Sequence, residues 1–563
     1  MRPAEFPPPS TKGEFVVTPN PDKDSQIEIG VLFVGAGPAS LAGAIRLAQL
    51  LETKPKIKAA LGEMPIAIVE KGKYPGAHLL SGAVINPIAF RKLFPDKKMS
   101  ELPFYGPVEK ESVYMLPGKD NAIDLPVIPP TMQNHGNYIA SLSVVGKWMG
   151  EQAEALGVTI LNETAAYRVL AENGRVRGIR TGDKGLDANG KPMSNHEPGM
   201  DLVAGVTVLG EGTMGHLTQA LQEHFNIARP QPQIYALGVK EVWEVKKPLD
   251  RVIHTMGWPL RFGSKWNEFG GSFCYPMGRD KVSLGMVVGL DYTDATLSVH
   301  ELLQELKTHP LFKDVLEGGK RADRGWGAKT IPEGGYHALP ERLSVPGALL
   351  VGDAAGFVNV PTLKGIHYAM WSGILAAESI FAKLQEGVEK VGDTSIVRYD
   401  QQVSDSFIRE DLYEVRNMRQ GFRYGFFGGG ALASMMTVTG GKFPGGWIKS
   451  ERDSDHDLLD GQRTYPAPDG KYIFDKLSSV MESGNRSRDN QPNHLRVAME
   501  VPETVGNAWI RMCPAQVYEW HEKDGKKVLF VNATNCIHCG AITAKGGRIT
   551  PPEGGSGPEY TQM

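Results

Sequence analysis

Residues 27–51, IEIGVLFVGAGPASLAGAIRLAQLL, constrain the fold more than any other stretch of the chain. An apolar run, then Gly35-Ala36-Gly37-Pro38-Ala39-Ser40, then a small and apolar periodic segment reads as strand, tight turn and helix. The glycines let a pyrophosphate approach the backbone, and the free N–H groups and dipole of the helix N-terminus favour that anion. Ser40 stands where the third glycine of G-x-G-x-x-G is usual, a position that needs only a small side chain for helix–strand packing. A second buried strand, residues 65–69, ends in Glu70, whose carboxylate can accept hydrogen bonds from ribose hydroxyls. The lysine-rich insertion 52–64 lengthens the spacing between them and is expected to be a solvated loop or helix extension. The expectation is an α/β, Rossmann-like dinucleotide-binding fold.

NAD and FAD share this fingerprint, so a second signal has to choose. Residues 348–356, ALLVGDAAG, form another strand-to-helix turn with an acid at its lip. In the flavoproteins that resemble p-hydroxybenzoate hydroxylase, such a late Gly-Asp puts the Asp on the FAD ribityl chain, and Gly352 and Asp353 match it. The expected cofactor is FAD, in a two-domain flavoprotein.

At 563 residues the chain can build two or three domains. A formal net charge of −3 supplies no field that would attract nucleic acid, and none is expected as a partner. Residues 1–25, proline-rich and without an apolar core, read as a disordered lead-in rather than a secretory signal. No stretch reaches the roughly eighteen apolar residues needed to span a bilayer. The FAD-binding domain is expected over 26–232 and 330–400, with a hairpin at 169–178 turning on Asn173-Gly174 and a polar loop at 183–200. Alternation such as VKEVWEV marks 233–329 as an antiparallel or mixed-sheet domain. Residues 401–500 read as a helical, membrane-contacting segment and connection, and 501–563 as a small ferredoxin-like module.

Four cysteines do not make a disulfide framework in a chain this long. Cys513 beside Pro514, and Cys536-Ile537-His538-Cys539, have the look of iron–sulfur ligands. The next position in the C-x-x-C rhythm is Ile542. Cys274 alternates along a strand and is expected as a buried, inert thiol.

The chain resembles the electron transfer flavoprotein–ubiquinone oxidoreductase family nearly end to end. The stretches that carry the likeness include GAGPASLAGAIRL, AHLLSGAVINPIAFRKLFPD, GGSF, GFVNVPTLKGIH, CPAQVYE and PEGGSGP. The resemblance implies an FAD enzyme that takes single electrons from reduced electron transfer flavoprotein and delivers pairs to ubiquinone. It also implies a [4Fe-4S] cluster, for which the family motif C-x-H-C-x-x-C-D is met at Cys536, His538 and Cys539 but broken at Ile542 and Thr543. A [3Fe-4S] cluster, a four-iron cluster with a non-cysteine ligand and an empty site all stay open at this point. Quinone binding is implied for Gly270 and Gly271. Contact with one membrane leaflet is implied for 77–96 and 422–438, the latter flanked by Arg416, Arg419, Arg423, Lys442 and Lys449. The place implied is the cytoplasmic face of a bacterial inner membrane, or the matrix side of the mitochondrial one. Two other readings compete: a flavin-dependent reductase of membrane isoprenoids, similar to geranylgeranyl reductases, and a membrane-associated binding protein with inactive flavin.

Overall fold

The computed structural model describes residues 1–82 and 84–563. The strand Gln26–Val34 lies inside a nine-stranded sheet, parallel to Asp201–Leu209 on one side and to Ile66–Val69 on the other. Thr159–Leu161 and Ala348–Leu350 extend it in the same sense. Both faces of such a sheet are covered, which is why these strands are runs of Val, Ile, Leu and Phe rather than alternating. The helices Pro38–Glu52 and Ile366–Glu386 cross closely over it, and a Cβ at Gly373 would lie 2.0 Å from the Ala39 carbonyl oxygen.

The hairpin expected at Asn173-Gly174 joins Ala166–Glu172 to Arg175–Thr181, with both turn residues at positive φ, 51° and 72°. Residues 183–200 are not a plain loop. They form a second, small hairpin, Lys184–Leu186 with Pro192–Glu197, whose polar strands carry no hydrophobic signal to read. The 52–64 insertion contains a short helix, Pro55–Ala60.

The second sheet has seven strands and is antiparallel save for one pair. Its order is Lys320–Pro332, Tyr235–Glu244, Lys281–Gly289, Gly270–Pro276, Val252–Gly257, Glu111–Gly118, Asn121–Asp124, with Val252–Gly257 parallel to Glu111–Gly118. The sheet therefore recruits two strands from well outside 233–329. Such long-range pairing leaves no mark at either segment.

The C-terminal module shares one apolar core with this second sheet: Trp243, Trp326, Trp509, Cys513 and Ile542 belong to the same buried cluster. The expectation of disorder over 1–25 is corrected. Val16–Val17 adds an edge strand beside Ala166–Glu172, Phe15 is buried against Tyr167 and His216, and Glu14 pairs with Arg496 at 2.7 Å. Prolines that prevent a regular helix do not prevent an extended segment from packing.

Candidate active site

The nucleotide turn is built as its residue types require. Gly35 sits at φ +87°, and a Cβ there would lie 2.9 Å from the Gly210 carbonyl oxygen. Gly37 caps the helix Pro38–Glu52, and a Cβ on it would meet nothing closer than 3.8 Å, so the space above the helix N-terminus is open. Pro38 at the first helical position loses no hydrogen bond. Ser40 is fully buried, and its Oγ packs against Gly210 so tightly that only glycine fits there.

Glu70 accepts from the Ala36 N–H at 2.8 Å and from the Gly72 N–H at 2.6 Å. It thus fixes the glycine turn as well as facing the cavity. The second turn meets the first: Gly352, at φ +63°, donates its N–H to the Ser372 hydroxyl oxygen, and a Cβ there would approach the Ala39 Cβ to 2.9 Å. Asp353 faces the same cavity, and burial raises its carboxyl to about 6. Open space over a helix N-terminus, a carboxylate at each turn and small residues between them fit a flavin dinucleotide.

Gly35, Gly37, Pro38, Ala39, Glu70 and Asp353 line one cavity of about 920 Å³, which also takes in Gly270 and Gly271. A Cβ at Gly270 would lie 2.1 Å from the Val287 carbonyl oxygen and one at Gly271 2.4 Å from that of Thr255. Close strand approach therefore already demands glycine at both positions, whatever binds above them. The cavity runs on to Phe262, Phe422 and Phe426 and under the helix Gly425–Val438, which lends Gly430, Ala433 and Thr437 to its wall.

Several lining residues carried no sequence signal. Tyr275 hydrogen-bonds His254, and burial holds that histidine neutral, at about 3. Lys240 donates to the Ser81 carbonyl at 3.0 Å, and its burial brings it down to about 7. Lys71 and Lys329 stand half-buried between the nucleotide turn and the cysteines, and desolvation lowers both, Lys329 to about 8. Each lies on a strand or turn where an isolated Lys, His or Tyr reads as surface or core. Their convergence is a tertiary fact.

The iron module forms the far wall. His538 and Gly540 line the cavity, and Lys329 donates to the His538 carbonyl at 3.0 Å. Cys513, Cys536 and Cys539 are buried; burial makes the Cys536 and Cys539 thiols harder to ionise, and the nearby Cys513 adds to this at both. Backbone N–H groups of residues 515–517 point at the Cys513 sulfur, that of His538 lies 3.4 Å from the Cys536 sulfur, and that of Ala541 faces Cys539. Such amide concavities suit anionic sulfur. Three sulfurs fit an iron–sulfur cluster; the four-cysteine set of a [4Fe-4S] cluster is not met. Cys274 is buried in its strand, as expected, with burial alone acting on it.

The membrane-contact expectations divide. In 77–96, Ile85, Ala89, Phe90 and Leu93 are buried in the main core, and residues 78–82 face the cavity, so their apolar surface is not available to lipid. Position 83 lies outside the described residues. Arg416 and Arg419 are likewise interior: Arg419 bridges Asp291 at 2.7 Å and Glu333 at 2.6 Å, and Arg416 donates to main-chain carbonyls. The helix Gly425–Val438, by contrast, buries only Gly429 and Met436. Around it Tyr424, Phe427, Val438 and Trp447 are 57–87 % exposed, with Arg423, Lys442 and Lys449 at the surface nearby. Among the described residues no helix is long and apolar enough to cross a membrane.

Fold and site define an FAD-type oxidoreductase in which a nucleotide cavity and a cysteine module share a wall. The family profile "ETF-QO, ubiquinone-binding" matches residues 235–331, and the 4Fe-4S profile of electron transfer flavoprotein-ubiquinone oxidoreductase matches 470–561. The mitochondrial electron transfer flavoprotein-ubiquinone oxidoreductase of Dictyostelium discoideum is 41 % identical, over 96 % of this chain and 92 % of its own. That of Homo sapiens is 40 % identical over 95 % and 89 %, and the probable one of Acinetobacter baylyi 38 % over 95 % and 99 %. This chain belongs to the electron transfer flavoprotein–ubiquinone oxidoreductase family. A geranylgeranyl bacteriochlorophyll reductase-like protein from Thermoplasma acidophilum has a similar fold, with TM-score 0.53 and 17 % identity over 77 % of this chain and 93 % of its own. That likeness concerns fold alone and lends no weight to an isoprenoid substrate.

Proposed function

We propose that this oxidoreductase accepts electrons from reduced electron transfer flavoprotein and passes them in pairs to ubiquinone, working from one face of a membrane. The observation that carries the reading is the single cavity that runs from the two glycine turns, past Gly270 and Gly271, to the exposed aromatic helix Gly425–Val438. A quinone with a long apolar tail needs an entry of this kind, because its head has to reach the flavin while its tail stays in lipid.

FAD, when bound, supplies the ability to exchange one or two electrons. The chain's residues do the rest. Gly37 and the first amides of its helix would hold the pyrophosphate, Glu70 a ribose and Asp353 the ribityl chain. Gly270 and Gly271 leave backbone open beside the quinone head. Tyr275, bonded to neutral His254, holds a proton at its hydroxyl on the cavity wall, where quinone reduction takes up protons. The helix Gly425–Val438 lies in one leaflet with Arg423, Lys442 and Lys449 at headgroup level.

Anaerobic reduction of a short-chain ubiquinone by enzymatically reduced electron transfer flavoprotein tests the reading. Turnover that needs both partners is expected. A flavin-loaded protein that leaves the quinone oxidised would refute it. A chain that binds no flavin would favour the inactive binding protein instead.

A further inference from the structure

Three cysteines meet in the C-terminal module, and what stands at the fourth place is specific. Ile542 lies one turn beyond Cys539, in the short helix Ala541–Ala544, 3 % exposed and in the same apolar cluster as all three thiols. The space around it is shaped to its branched side chain. A Cβ at Gly547 would lie 2.7 Å from Ile542 Cγ1 and 2.9 Å from Val497 Cγ1, so the glycine makes room for the isoleucine. Thr543, next in the chain, does local work: its Oγ1 receives the Ile549 N–H at 3.1 Å.

We infer that this module holds a three-iron, four-sulfide cluster on Cys513, Cys536 and Cys539, with Ile542 sealing the corner where a fourth iron would sit. Each iron of a cubane needs a ligand from outside the cluster, and cysteine thiolates are the usual ones. Three thiolates with their own amide donors serve three irons. At the fourth corner isoleucine offers no lone pair, and its burial keeps out a water or hydroxide that would otherwise ligate.

Two substitutes for the missing cysteine are set aside by geometry. Cys274 lies on the strand Gly270–Pro276, opposite Ile253 and Leu284, and none of the other three cysteines acts on its ionisation. His538 is nearer, and among the described residues neither of its ring nitrogens has a partner. Its ring, however, stands between His78 and His494 at 5.5 and 5.2 Å, on the side that faces the flavin cavity. His494, Cys536 and His538 do bring one atom each within 4.8 Å of one another, the closeness of ligands around a single ion. Among the described residues the three sulfurs form no such tight set.

The inference rests on membership of an iron–sulfur family and not on the quinone reaction. Iron, acid-labile sulfide and flavin are measured on the whole protein purified without oxygen, with electron paramagnetic resonance before and after reduction. About three irons and four sulfides per chain are expected, with a half-integer-spin signal in the oxidised protein that reduction abolishes. Ile542→Cys is expected to raise the iron to about four and move the signal to the reduced state. Ile542→Val, Cys274→Ser and His494→Gln are expected to keep the three-iron signature, which guards against a cysteine variant that fails to fold. Four irons with a signal only on reduction in the unaltered chain would overturn the inference. So would the absence of iron, or loss of the signature in Cys274→Ser or His494→Gln. Flavin content and quinone turnover are read separately, so a failed cluster and a failed quinone reductase give different results.

Discussion

Asp353 is a single carboxyl asked to do two things. Burial raises it to about 6, so the folded, flavin-free protein binds its proton more tightly than the unfolded chain does. The stability that this group supplies is complete below about pH 4 and is lost as the pH rises through about 6. Asp353→Asn should flatten that part of the profile and make the flavin-free protein up to about 3 kcal/mol more stable at neutral pH, read by denaturant unfolding at pH 5 and 7. The same variant should bind FAD roughly 10- to 100-fold more weakly, by fluorescence titration, because it loses a charge-assisted hydrogen bond. Arg419 is the opposite case, a cation buried between Asp291 and Glu333. Arg419→Leu leaves two buried carboxylates without their counter-charge and should cost about 3–5 kcal/mol in the same unfolding measurement.

Among the elements, the helix Gly425–Val438 shows how far a sequence can be read. Its apolar composition is plain, but a short apolar run fits a core helix as well as a membrane helix. Only the packing distinguishes them: this helix buries only Gly429 and Met436, whereas Ile85, Ala89, Phe90 and Leu93 lie in the core. Phe427→Asp with Trp447→Asp should therefore abolish co-flotation with liposomes. Because both side chains are exposed, stability should change by less than about 0.5 kcal/mol per site. Retained flotation would remove this helix from the membrane. The hairpin at Asn173-Gly174 is the contrasting element, legible outright because two adjacent residues at positive φ define its turn.

At the scale of the whole molecule the cavity matters most, because no one segment contains it. Ala433, on the surface helix Gly425–Val438, lies on its wall, far in sequence from Glu70, Asp353 and His538, which line the same space. Ala433→Trp should raise the KM for ubiquinone, or abolish quinone reduction, while FAD content and reduction of the flavin by dithionite stay normal. A variant with unaltered quinone kinetics would mean that the head group enters elsewhere.

The two glycine turns, the buried Ser40 and the turn-fixing Glu70 were legible by themselves, because backbone conformation demands particular residue types at particular spacings. So was the break at Ile542, since no apolar side chain can ligate iron. The sequence alone thus determined the class of fold and the family. The tertiary structure alone decided that residues 111–124 join the second sheet, that Arg416 and Arg419 turn inward, and that the 1–25 segment is packed. It also decided that Lys71, Lys329, His78 and His538 stand between the nucleotide turn and the sulfurs. Burial and convergence depend on contacts between residues hundreds of positions apart, and such contacts leave no local period or motif.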